Sequence, residues 1–166
     1  MNPLPFPVDF NINEWFVILS LGISYIGIFL LPNRLPASIL ILIILFSATI
    51  ARIFDHSLAG PNLNLYNLMD SGKYELFDFL SYLLYGPFAY VFLYIYQKYS
   101  IKGLYLLLYI AASSVLAVTY EWITVLFNVF TFEKWRSIYS YPVYLFVQSL
   151  TIVFYHLLQK HLPVKS

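Results

Sequence analysis

Five apolar stretches, each close to the ~20 residues a helix needs to cross a bilayer core of ~30 Å, take up most of this 166-residue chain. A backbone in hydrocarbon must satisfy its own N–H and C=O groups, so stretches this long and this continuously apolar are read as helices. The expected fold is an all-α integral membrane bundle of about five antiparallel transmembrane helices. It forms one domain over residues 1–166, with spans near 13–31, 36–56, 73–98, 103–128 and 141–158. With 61% hydrophobic and 10% charged residues the chain lies outside the range of soluble domains. A net charge of +1 with scattered Lys and Arg offers no basic patch for a phosphate backbone, which excludes nucleic acid as a partner. No cysteine is present, so disulfide, thiolate-metal and palmitoyl chemistry are excluded as well.

Local signals divide these spans. Pro3, Pro5 and Pro7 mark an extended, partly disordered tail, and Asn11 with Glu14 resembles a capping box. The first span lacks a basic flank and a small-residue cleavage site, so it reads as a retained helix. Pro32 to Pro36 is a tight turn, and Gly86-Pro87 should kink the third span. The long connection after His56 contains Asn62-Leu63-Asn64-Leu65, a weak alternation that suggests a brief extended or interfacial segment. Asp70-Ser71-Gly72 is a turn and cap. Residues 131–139 mix aromatic and charged side chains and read as an amphipathic segment at the membrane surface.

The charges are unevenly placed. Basic residues favour the turns at Arg34 and Lys98 to Lys102 as the cytoplasmic end, giving an outside N-terminus and a cytoplasmic C-terminus in a plasma membrane. All the acids then fall at the outer end. At a rise of ~1.5 Å per residue, Arg52, Asp55 and Glu121 stand at one level on two different helices. Arg52, Asp55 and His56 share a face, as do Glu75, Asp78, Tyr82 and Tyr85. On the fifth span Tyr141, Tyr144, Gln148, Thr151 and Tyr155 recur with helical spacing.

An ionisable group inside a span needs a partner or a function. Glu121 with Arg52 reads either as an interhelical salt bridge or as one wall of an outward polar cleft between spans two to five. Such a cleft would hold a cation or a small polar ligand on Arg52, Asp55, His56, Glu75, Asp78, Glu121 and Gln148. The types fit a His/carboxylate metal site, but no HExxH-like spacing links them, and no metal or cofactor is assigned. No catalytic residue is assigned either, since nucleophile-elbow, Walker and Rossmann patterns are absent. The favoured reading is a non-enzymatic accessory protein, sensor or ligand binder, with lipid and another membrane protein as further partners. The alternative is a membrane enzyme or ion-coupled carrier using Glu121 with His56 and Asp78.

The run Asp70-Ser71-Gly72-Lys73-Tyr74-Glu75-Leu76-Phe77-Asp78, then Tyr120-Glu121-Trp122, Phe130-Thr131-Phe132 and Trp135, resembles a group of uncharacterised small multi-pass membrane proteins of Bacillus-like Firmicutes. The likeness is best over the last three spans. It implies a bacterial plasma membrane and assigns no activity.

Overall fold

A computed structural model describes residues 4–7, 9–32, 35–69 and 75–162. The expected turn at Asp70-Ser71-Gly72, the basic residues Arg34, Lys73 and Lys165, and the first residues of the tail lie outside them. Five spans are present, each long and apolar enough to cross a membrane, so this is a multi-pass membrane protein. In chain order the elements are α1 (Ile12–Leu30), α2 (Ala37–Leu58), β1 (Tyr66–Leu68), α3 (Leu76–Leu83), α4 (Tyr85–Lys98), α5 (Leu104–Leu126), β2 (Phe130–Phe132) and α6 (Ser137–His161).

The third span is the axis of the bundle. Over half of it, 56%, is buried, against 17–22% for each of the others. The core around α4 joins Ile39 and Ile43 of α2, Tyr90, Leu93 and Tyr94 of α4, and Ile152 and Tyr155 of α6. Outer faces keep large apolar side chains exposed, among them Ile23, Phe29, Leu107, Leu116 and Phe146, as lipid contact requires. Antiparallel packing shows in the pairing of side chains: Phe46 of α2 stacks on Phe154 of α6 at 4.2 Å, and Phe92 of α4 stacks on Tyr109 of α5 at 4.9 Å.

The expected kink divides the third span in two, α3 and α4, at Leu84. Pro87 has no N–H, so the carbonyl four residues earlier, that of Leu83, loses its helical partner. The hydroxyl of Tyr25 in α1 donates to that carbonyl at 3.1 Å. Gly86 serves the other side of the kink. A Cβ there would stand 2.8 Å from Cγ1 of Ile44, so the missing side chain lets α4 close on α2. A prediction follows from the Tyr25 bond. Tyr25→Phe should cost about 1 to 2 kcal/mol in a detergent unfolding titration. In a Pro87→Ala background, where residue 87 regains an N–H for Leu83, most of that cost should vanish; an unchanged cost would show that the hydroxyl acts elsewhere.

Other expectations need correction. Residues 131–139 are not one amphipathic segment. Phe130–Phe132 is a strand, antiparallel to Tyr66–Leu68 with Asn67 opposite Thr131, and α6 already begins at Ser137. The extended piece expected over Asn62 to Leu65 forms instead directly after it, at Tyr66–Leu68, where β-prone Tyr66 meets a Phe-Thr-Phe partner. The tail is also engaged: the Pro5 carbonyl accepts the N–H of Leu76, a helix-terminal donor that α3 itself cannot satisfy.

Candidate functional site

The paired strands join the α2–α3 connection to the α5–α6 connection at one end of the bundle. Beside them, three successive N–H groups, of Glu133, Lys134 and Trp135, converge on the Leu65 carbonyl at 2.9 to 3.0 Å and tie the two connections together. Tyr66 on β1 packs edgewise against Phe130, Phe132 and Trp135. Its hydroxyl donates to Asp55 Oδ1 at 2.5 Å. Burial, and then the neighbouring Asp55 carboxylate, hold the Tyr66 phenol far above its ordinary pKa, so it remains a proton donor at every physiological pH.

Glu121 sits near the end of α5 and is buried. Its Oε1 accepts from Ser140 Oγ at 2.6 Å and its Oε2 from the Tyr144 hydroxyl at 2.8 Å. Trp135 Nε1 donates to Ser140 Oγ at 2.8 Å and extends the chain outward. Both carboxylate oxygens are therefore bonded to hydroxyls of α6, and the guanidinium of Arg52 is not among their partners. Arg52 Nη1 instead donates to the Tyr82 hydroxyl at 3.3 Å, with the guanidinium 5.8 Å from the centre of that ring. Two turns deeper, about 10 Å by helical rise, Ser114 Oγ donates to Gln148 Oε1 at 3.1 Å. Gln148 belongs to the same α5–α6 polar seam, away from the carboxylates of α2 and α3.

Asp55 and Asp78 face each other's elements, α2 and α3, and both are buried. Glu75 and Asp78 form a capping box at the start of α3: the Glu75 N–H donates to Asp78 Oδ2 at 2.6 Å, and the Glu75 carboxylate takes the Asp78 N–H. Asp55 Oδ2 and Asp78 Oδ1 are left, each buried without a hydrogen-bond partner. Tyr82 comes close enough to interact with the Asp55 carboxyl, yet makes no bond of normal geometry with Oδ2. Arg52 lies within electrostatic range of both acids, and Asp78 within range of Asp55.

No family model, curated protein or solved structure matches this chain. The site rests on its own geometry.

The seven candidate residues separate into distinct groups. Arg52, Asp55, Glu75 and Asp78 gather where α2 meets α3. Glu121 and Gln148 lie on the α5–α6 seam. Tyr85 lies within electrostatic range of both Asp55 and Glu121 and links the two groups. His56, like Arg52, is exposed, and no group of three His, Cys, Asp or Glu side chains gathers as for a metal among the described residues. The carboxylates are enclosed beneath the sheet. An open cavity of about 560 Å³ does exist at this end, but Asn11, Ile12, Asn13, Met69, Asn128 and Thr131 line it, so it borders α1 and the sheet rather than the carboxylates.

Tyr66, Ser140 and Trp135 complete the centre and were not among the candidate site residues. The alternation of Asn62 to Leu65 slips by one residue at Tyr66 and resumes in Tyr66-Asn67-Leu68, and Phe130-Thr131-Phe132 is β-prone. Their pairing was the available signal for Tyr66.

Proposed function

We propose that this chain is a non-enzymatic protein of a bacterial plasma membrane that binds a small cation at its outer end, with its N-terminus outside and its C-terminus in the cytoplasm. The bacterial assignment rests on the resemblance of Asp70 to Asp78 and Tyr120 to Trp122 described above. The observation that carries the binding reading is a charge excess. Glu14, Asp55, Glu75, Asp78 and Glu121 are all buried at this end. Among the described residues Arg52, itself exposed, is the cation in electrostatic range of the α2–α3 acids, and Lys134 and Arg136 are exposed as well. Buried charge of one sign is costly unless a counter-charge joins it, and a bound cation supplies one. Accessory or sensor roles are compatible with such a site. The enzyme or carrier alternative draws less support, since His56 stands apart and both oxygens of Glu121 are engaged.

A thermal-unfolding series on the purified protein tests this reading. Metal chlorides and amine salts are compared with choline chloride at matched ionic strength. A cation held by the native state should raise stability by about 2.7 kcal/mol at a hundred times its Kd. Equal curves in every salt would contradict the proposal.

Orientation has its own test. The natural chain has no cysteine, so single substitutions report cleanly. Asn64→Cys should react with an impermeant thiol reagent on intact cells and Ser100→Cys should not. The reverse pattern would invert the orientation.

A further inference from the structure

The five buried carboxylates among the described residues are not equivalent, and their hydrogen bonds sort them. Glu121 has both oxygens filled by hydroxyls, and Glu75 takes an N–H at the positive end of α3. Glu14 keeps one buried oxygen without a partner, but it stands alone at the start of α1, its other oxygen taken by the Asn11 N–H at 2.6 Å. Asp55 and Asp78 differ from these. Each contributes one partnerless buried oxygen, the two come from different helices, and they lie within electrostatic range of one another. Their remaining oxygens are fixed, Asp55 Oδ1 by Tyr66 and Asp78 Oδ2 by the Glu75 N–H.

Resting on the cation-binding reading above, we infer that Asp55 Oδ2 and Asp78 Oδ1 together hold one monovalent metal cation between α2 and α3. Coordination decides the valence. Calcium takes six to eight oxygens and magnesium a near-octahedral shell, whereas here two carboxylate oxygens are spare and no group of three metal-ligating side chains gathers among the described residues. An alkali ion gives up its water more cheaply and accepts a partly filled shell completed by Tyr82 and solvent. Tyr66 is then a positioning residue: by holding Oδ1 from the sheet it aims Oδ2 at the ion.

The test uses the full-length protein in detergent, with sodium and potassium chloride as probes against choline chloride at constant ionic strength, and magnesium and calcium chloride beside them. An alkali ion should raise Tm by about 5 °C or more over choline, and the divalent salts should add nothing further. Asp55→Asn and Asp78→Asn should each weaken the alkali-ion effect at least tenfold in half-saturating concentration, whereas Glu121→Gln should retain it from a lower starting Tm. Should the Asn variants fail to accumulate, equilibrium dialysis of the natural protein with radioactive sodium decides by stoichiometry. One ion per chain supports the site; none, or more than one, overturns it. Stabilisation by divalent ions or amines alone, or an alkali-ion effect that survives both Asn substitutions, overturns this site while leaving the broader proposal standing. No response to any cation removes both.

Discussion

Glu121→Ala will destabilise the folded protein by about 3 kcal/mol. The loss does not come from an ion pair. Removing the carboxylate strips the acceptor from Ser140 Oγ and from the Tyr144 hydroxyl, and it cuts the path from Trp135 through Ser140 into the α5–α6 seam. Buried donors left without an acceptor cost more than the bond itself was worth. Two double-mutant cycles identify the partners in a detergent unfolding titration. Glu121→Gln with Tyr144→Phe should show a coupling of about 1 kcal/mol, as expected for groups in contact. Glu121→Gln with Arg52→Gln should be additive within about 0.5 kcal/mol. Recovery of stability in that second pair would restore the Arg52–Glu121 salt bridge as the better description.

Gly86→Leu should prevent the third span from closing on the second and should all but abolish folded protein. Gly86→Ala gives the measurable version. The added Cβ would meet Cγ1, Cγ2 and Cβ of Ile44 at 2.8 to 3.1 Å. These atoms lie close to the α2 backbone on a β-branched side chain, which is stiff and cannot swing aside. Overpacking of this kind costs about 1 to 3 kcal/mol. Shortening the neighbour with Ile44→Ala in the same protein should recover part of the loss, because the clash is with that side chain. A neutral Gly86→Ala would mean that α2 and α4 have room to spare, and the close approach at the kink would lose its explanation.

The spans were legible in the sequence because lipid imposes one simple requirement over about twenty residues at a time. The kink was legible for a different reason, since Gly86-Pro87 acts on its own backbone and needs no distant partner. What sequence could not show was azimuth. Arg52, Asp55 and Glu121 do stand toward one end of the bundle, but depth does not say which faces meet. α2 packs along α4 while α5 packs along α6, so Glu121 finds hydroxyls on its neighbour instead of the guanidinium. His56 illustrates the same point within one helix. It follows Asp55 directly, so its side chain leaves the helix about 100° away from the Asp55 carboxyl. Tyr66 and Trp135 were hidden for a third reason: their contacts depend on pairing two connections far apart in the chain, and strand register over such a separation leaves only a weak local trace.

The account stands or falls on the space between Asp55 and Asp78. Crystals of the full-length protein grown in a thallium(I) salt, a monovalent ion with a strong anomalous signal, test it directly. One anomalous peak in contact with Asp55 Oδ2 and Asp78 Oδ1, removed by excess sodium or potassium, is the predicted result. Diffraction that places no ion there, with the two carboxyl groups bonded to each other through a shared proton, would contradict it.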